Sequence, residues 1–468
     1  MAKMYKQARQ RGAVLLVGLI ILMVAMAAGL TALFSQRMGD ARKEAITAAA
    51  LAQAKAALLG WAWRQGDGTT SNTPVARPGE LPCPDLRPLN DPFIGTSSTN
   101  CQPAALGRLP WKTLGLPDLR DGSGERLWYA RSVRFRNQAR LTPPAGPLNP
   151  DTAFGQITVR LSDRMGFLHR AASPAENGTG AVAVIIAPGA PIRRNNNLQQ
   201  DRSAANYLTA AHYLDCWGTA GCNVEDNANF VNDDANNGFI VGPIRIKDRD
   251  VVNDRIVTIS RDEILSGMVK RVAGDVAQAI ESYFLAASSG RIPAPAAITN
   301  VGCLGAGNVN ASCPADLGLP GSVPFGRIPS APAIQLNPPN PSSWIVSGAS
   351  SDFLTGADTY WFQQNAWREF VFYAVAPACA GEVVGCIGSL SVNNPPAAAV
   401  GGKRAVIIVS GAALSSEGQQ RLSNADKGIP GNYLEGENNS PQGSIFARRP
   451  ASPATAFNDA VATVPRLP

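Results

Sequence analysis

Apolar and polar positions are unevenly spread along this chain. Residues 13–34 read AVLLVGLIILMVAMAAGLTALF, a run of 22 without a charge. That length predicts a helix able to cross a bilayer. The residues before it include Lys3, Lys6, Arg9 and Arg11 and no acid, which predicts a cytoplasmic N-terminus with the rest on the far side. The run exceeds the roughly 7–15 apolar residues of a secretory signal, and no small-residue cleavage site closes it. Helix-forming residues then continue through 35–64, GDARKEAITAAALAQAKAALLGWAWR from Gly39 onward. One helix of about 50 residues, roughly 75 Å long, is predicted, with only its first half in lipid.

A second helical pattern spans 261–287. Ile264, Met268, Val272, Val276 and Ile280 recur every four residues, with Leu265, Val269 and Ala273 beside them. This is an amphipathic helix seated on a core, polar on its other face and so unsuited to crossing a membrane.

The segments C-terminal to the two helices repeat one another in order. Gly79-Glu80-Leu81-Pro82-Cys83-Pro84 pairs with Gly290-Arg291-Ile292-Pro293-Ala294-Pro295. Gly107-Arg108-Leu109-Pro110 pairs with Gly326-Arg327-Ile328-Pro329. Two aromatic strands come next, Arg126 aligned with Arg368, and then two buried-strand candidates at 182–190 and 406–413. Asn206-Tyr207-Leu208 and Tyr213-Leu214-Asp215 both stand where the second copy has Asn432-Tyr433-Leu434-Glu435. Asn253-Asp254 and Asn458-Asp459 each open a final strand. The expected class is α+β: a long N-terminal transmembrane and stem helix, then two helix-plus-antiparallel-sheet domains from an internal duplication. The boundaries read 1–12, 13–34, 35–64, 65–260 and 261–468.

Composition narrows the function. Of a net charge of +7, four charges sit in 1–12, leaving +3. No dense Lys/Arg track exists, so nucleic acid is not an expected partner. Cys83, Cys101, Cys216, Cys222, Cys303, Cys313, Cys379 and Cys386 fall as four neighbouring pairs. With no C-x-x-C and only His169 and His212 as histidines, disulfides are expected rather than zinc, neighbour pairing being preferred.

The N-terminal arrangement resembles the type IV pilin superfamily, which includes the pseudopilins of type II secretion. Arg9-Gln10-Arg11-Gly12 before Ala13 matches the basic leader that a prepilin peptidase removes. The resemblance implies cleavage between Gly12 and Ala13, methylation of Ala13, and packing of the apolar helix among neighbouring stems. Members usually carry Glu at the fifth mature position; here it is Val17. A subunit with no neighbour above it has no use for that buried carboxylate, so Val17 fits a tip or priming role. Gly18, Ala25, Ala28 and Gly29 offer small surfaces for close helix contact. Implied partners are major and minor pilins or pseudopilins, the prepilin peptidase and an inner-membrane assembly platform. The implied location is the inner membrane, single-pass with a periplasmic head, or a filament tip after assembly.

No catalytic residues are nominated. G-x-S-x-G, P-loop and H-E-x-x-H motifs are absent from the sequence, and no cofactor is required. Calcium is the cation considered, with Glu225, Asp226, Asp233 and Asp234 offering oxygens in an Asn-rich segment. Two smaller acidic groups are Asp118, Asp121 and Glu125, and Glu435, Glu437 and Asn438. The alternative function is an adhesin or periplasmic binding protein displayed on a pilin-like stem, with the loops at 191–200 and 415–420 as binding surfaces.

Overall fold

The computed structural model describes residues 22–23, 26, 38–65, 78–99, 101, 106–135, 147–162, 168–172, 179–218, 221–230, 238–246, 249–286, 292–304, 313–316, 318–319, 321–329, 362, 365–380, 385–394, 397–440, 443–449 and 457–465. Gly12, Ala13, Val17, Gly18, Ala25, Ala28 and Gly29 lie outside the described residues, as do Asp233 and Asp234. Of the apolar run, Leu22, Met23 and Met26 are described; they are helical and exposed.

The first helix, α1, spans Met38–Arg64. By length and composition it meets the requirement for a membrane span, with mean hydropathy 1.3 in its most apolar window. Its residues 38–46 are all exposed. From Thr47 onward a stripe of Ala50, Leu51, Ala54, Leu58 and Ala62 is buried, the 3–4 spacing of one helix face. Thr47 fixes where the stripe begins: its Oγ1 donates to Lys43 O (2.9 Å) and accepts from Gly122 N (2.9 Å). Gly122 lies so close to the Lys43 backbone that a Cβ would stand 2.2 Å from its carbonyl oxygen.

Eleven short strands come after α1: β1 (Leu106–Arg108), β2 (Trp128–Arg131), β3 (Val159–Ser162), β4 (Leu168–Ala172), β5 (Ala183–Ala187), β6 (Cys216–Trp217), β7 (Glu225–Asp226), β8 (Phe239–Val241), β9 (Ile244–Ile246), β10 (Arg249–Val252) and β11 (Arg255–Ile259). After helix α2 (Arg261–Ala286) come β12 (Phe325–Arg327), β13 (Val371–Val375), β14 (Leu390–Asn394), β15 (Ala397–Lys403), β16 (Ala405–Val409), β17 (Ile445–Ala447) and β18 (Ala460–Val464).

The main sheets have orders β1-β2-β5-β11 and β12-β13-β16-β18, antiparallel throughout. Strand alternation gives the first sheet two apolar faces. Tyr129, Ile185 and Val257 share a cluster with α1, while Trp128, Ile186 and Ile256 meet Tyr213, Leu214 and Phe239 on the other side. That second side carries a small sheet, β4-β3-β8, matched later in the chain by β15-β14-β17. In each small sheet one pair is parallel, β3 with β8 and β14 with β17. Their strands are three to five residues long and far apart in the chain, too short for alternation in the sequence to reveal them.

Registers align the two main sheets residue by residue. Gly107 faces Tyr129 and Arg108 faces Trp128; Gly326 faces Tyr373 and Arg327 faces Phe372. Tyr129 Oη donates to Pro82 O (3.3 Å) and Tyr373 Oη to Pro293 O (3.0 Å). The aromatic strands therefore correspond as Trp128 to Phe372, two residues out of step with the alignment of Arg126 on Arg368. The final strands correspond as the sequence aligns them, Ile256 facing Ile186 and Val461 facing Ile408.

One hydrophobic cluster embraces α1, α2 and both main sheets. The helices meet where Trp63 Nε1 donates to Ile264 O (3.0 Å). The Trp63 ring occupies the space over Gly267, where a Cβ would stand 2.1 Å from it, so a side chain there would force the helices apart. Arg271 donates to the carbonyls of Trp63 (2.6 Å) and Gln65, and Lys55 pairs with Glu263 at 2.5 Å. The disulfides are Cys83–Cys101, Cys216–Cys222, Cys303–Cys313 and Cys379–Cys386, each between chain neighbours.

Candidate functional site

Each main sheet carries a buried pair of carboxyl groups at the start of its edge strand. In the first, Asp254 Oδ2 accepts from Asp215 N (2.7 Å) and Asn227 Nδ2 (2.7 Å). Asp215 Oδ2 accepts from Asn253 N (2.7 Å) and Asp254 N (3.2 Å), and its Oδ1 from Gln200 Nε2 (2.9 Å). In the second, Asp459 Oδ2 accepts from Glu435 N (3.2 Å) and Asn438 Nδ2 (3.0 Å). Glu435 accepts from Asn458 N (3.0 Å) and Gln419 Nε2 (2.9 Å).

The outer contacts repeat too. Asn227 and Asn438 each bridge to a small-sheet strand through a backbone pair, with Ile240 and Ala447 respectively. Gln200 Oε1 accepts from Ile192 N and Gln419 Oε1 from Leu414 N, both at 2.9 Å. Asn253 Nδ2 donates to Ala190 O and Asn458 Nδ2 to Ala412 O, both at 2.7 Å. Each acid pair thus ties together a loop, an edge strand and a small sheet. The loops at 191–200 and 415–420 are the ones fastened by these glutamines.

Burial penalises the charge. It lifts Asp215 to about 7. Asp254 is raised by burial and by the charge of Asp215, and Asp459 by burial and by Glu435. Glu435 is also raised by burial. Two acids in one buried site cannot both ionise cheaply, so a pair retains a proton where isolated carboxyls have lost theirs. Among the described residues, Asp254 Oδ1 and Asp459 Oδ1 accept no hydrogen bond, the same atom in both sheets.

Each main sheet also carries a buried arginine. Arg108 stacks between Trp128 (4.1 Å) and Tyr213 (4.0 Å) and donates to Arg126 O and Tyr207 O, both at 3.1 Å. Arg327 lies over Phe372 (4.6 Å) and Tyr433 (4.9 Å) and donates to the carbonyls of Glu369 and Lys427 (2.6 Å for the latter). Burial lowers Arg108 to about 10 and lowers Arg327 as well. Both stay cationic at neutral pH, and the ring faces replace part of the lost hydration.

Among the described residues, the acids considered for calcium are already engaged. Glu225, buried, pairs with Arg160 at 2.6 Å, and Asp226 pairs with Arg194. Cys216 and Cys222 come close to Asp226, but they are joined to each other and offer no thiolate. Asp118 pairs with Arg126 and Arg120 at 2.8 Å each. Asp121 accepts from the Ser123, Glu125 and Gly189 amides. Glu435 and Asn438 belong to the second carboxyl network, and Glu437 pairs with Arg449 at 2.5 Å. His212 accepts from Asp201 N at Nδ1 (3.1 Å), and His169 lies in β4 opposite Leu161.

The sequence signals for the networks are present but short. Gln200-Asp201-Arg202 and Gln419-Gln420-Arg421 share spacing, as do Tyr213-Leu214-Asp215 and Tyr433-Leu434-Glu435. Arg202 donates to Gly189 O (2.6 Å) and Arg421 to Gly411 O (3.1 Å). The sequence aligns Asp254 with Asp459 but does not show that each meets a second acid. Among the described residues the helix-and-sheet architecture carries one N-terminal apolar helix, four disulfides and these two polar centres. No family model, curated protein or solved structure matches the chain.

Proposed function

We propose that this chain is a non-enzymatic minor subunit, at the tip or in priming, of a type IV pilus or type II secretion pseudopilus. Its head is an internal duplication of one helix-plus-sheet unit, in residues 65–260 and 261–468. The observation that carries the reading is the form of α1: exposed throughout 38–46, then buried along one stripe against the head. A helix freed from the body just after an uncharged run of 22 residues is shaped as a stem. The twin carboxyl centres support the duplication, because two unrelated units have no reason to repeat eight hydrogen bonds in the same order. Their role here is to hold loops and edges in place, since their contacts run to the chain itself. The buried clamps give a rigid head to a subunit assembled through its stem, with other pilins or pseudopilins, the prepilin peptidase and an inner-membrane platform as partners.

The test is the intact mass and N-terminal residue of membrane-extracted protein, with and without a prepilin peptidase. A chain beginning at methylated Ala13 only when the peptidase is present supports the reading. A start at Met1 or Ala2 in both cases overturns it and leaves a permanently anchored head.

A further inference from the structure

We infer that the arginine-lined pocket of the first sheet takes an acidic side chain from a turn of a partner polypeptide, one that presents an apolar residue three positions before its acid. The inference rests on the head alone and does not depend on processing of the stem.

The second sheet shows such a site filled. Glu369, Phe370 and Lys427 bound a cavity of about 280 Å3 on one side, and Asn149 and Asp151 of the preceding unit bound it on the other. That segment is firmly seated. Leu148 is buried in the core. Its amide donates to Asn365 Oδ1 (2.8 Å), and Asn149 Nδ2 donates to Asn365 O (2.8 Å). Asp151 Oδ1 accepts from Arg421 (3.0 Å).

The first sheet has the same place without such a segment. The register of Trp128 with Phe372 aligns Glu125 with Glu369 and Arg126 with Phe370. Tyr207 stands for Lys427, since Arg108 donates to Tyr207 O as Arg327 does to Lys427 O. Arg202 stands for Arg421, each over the equivalent ring, Tyr213 or Tyr433. Glu125, Arg126 and Tyr207 line a pocket of about 160 Å3 with Leu89, Arg108 and Arg120. That is well under the roughly 300–1,000 Å3 of small-molecule pockets, so a single side chain fills it.

Charge defines the occupant. In the second sheet Glu369 is held by Tyr433 Oη (2.7 Å) and Lys427 (3.0 Å), and Arg421 takes its carboxylate from Asp151. In the first, Glu125 meets Arg202 itself at 3.3 Å. Three arginines line the pocket beside it. Arg120 and Arg126 share one acid, Asp118. Arg108 is 2 % exposed and, among the described residues, forms no ion pair, and its Nε donates no hydrogen bond. A buried donor left unmet is costly, and a carboxylate satisfies it with charge-assisted bonds. Leu89 on the wall and Leu208 beside Tyr207 are exposed, and they offer the apolar contact that the core gives Leu148.

The probe is a fluorescent peptide of residues 147–154, Pro-Leu-Asn-Pro-Asp-Thr-Ala-Phe, titrated with the full chain in detergent. A Kd of about 100 μM is expected, weakened about tenfold by Asp151→Asn in the peptide and about threefold by Leu148→Ala. Arg120→Gln in the protein should weaken binding about threefold, and Arg120→Gln with Arg126→Gln about tenfold. The Arg120 side chain is 48 % exposed, so its single variant keeps the parent's thermal unfolding and decides the matter if the double variant unfolds. Absent binding, or binding indifferent to Asp151→Asn or to Arg120→Gln, overturns the inference. Loss of binding on Arg421→Gln, with Arg120→Gln harmless, would place the peptide on the second sheet and overturn it as well. Acetate that displaces the peptide at equal concentration, with Leu148→Ala harmless, would make this a site for free small carboxylates and exclude a polypeptide ligand.

Discussion

The two main sheets share their polar centres and, only in part, their covalent ones. Asp215 with Asp254 and Glu435 with Asp459 occupy the same place, with the same glutamine and asparagine partners. The first bridge of each unit, Cys83–Cys101 and Cys303–Cys313, lies in the same crossover, but the second does not correspond: Cys216 follows Asp215 directly, whereas Gly436 follows Glu435 and Cys379–Cys386 follows β13. Buried hydrogen-bonded acids are costly to assemble and costly to break singly, so a unit that folds around one retains the whole set. A short disulfide reinforces whichever loop happens to be long and can sit elsewhere in each unit.

The sharpest test of that equivalence is pH. Asp215 has its folded value raised to about 7, against about 3.9 in an unfolded chain. The folded state therefore holds the proton more tightly. This contribution is complete below about pH 4 and is lost as pH rises through about 7. Up to about 4 kcal/mol of stability should disappear across that window, read by denaturant unfolding at fixed ionic strength. Asp215→Asn should flatten the part belonging to the first sheet, and Asp459→Asn the part belonging to the second. A parent protein equally stable at pH 5 and pH 8 would refute the assignment.

Next in size are the buried arginines. Arg108→Ala and Arg327→Ala each remove a stacked cation and leave carbonyls unpaired, at about 3 kcal/mol by denaturant unfolding. Similar losses sharpen the equivalence; a loss confined to one sheet breaks it. The disulfides should divide by loop length. Replacing Cys83 and Cys101, which are 18 apart, with serine should cost about 3 kcal/mol, and replacing Cys216 and Cys222, which are 6 apart, about 2 kcal/mol. Smallest is Lys55→Ala at the helix junction. Its pair with Glu263 is partly exposed, so less than about 1 kcal/mol is expected by thermal melting.

Much of the architecture is legible in the sequence because its signals are periodic or continuous. The stripe of α2 emerges from its four-residue recurrence, and the matched strands around Ile185 and Ile407 from continuous apolar runs bounded by Gly and Pro. The small sheets escape because three-residue strands such as β8 and β17 have no period to read. The carboxyl pairs escape for another reason. Asp215 and Asp254 stand 39 residues apart and meet only after β5 and β11 have paired, so their chemistry belongs to the topology. The Asn-rich acidic segment stands out by composition, yet Glu225 and Asp226 are partners for arginines.

The neighbour pairing of the cysteines bears on how the chain can be made. A polypeptide emerging end-first presents Cys101 when Cys83 is the only other cysteine exposed, and closes that bridge before Cys216 arrives. The same holds at each later step, because every separation lies between 6 and 18 residues. Loops this short close far faster than synthesis adds residues. Oxidation can thus keep pace with emergence, and no cysteine must wait for a distant mate. A thiol-trapping time course should find the bridges appearing in chain order, with few mispaired species for an isomerase to correct.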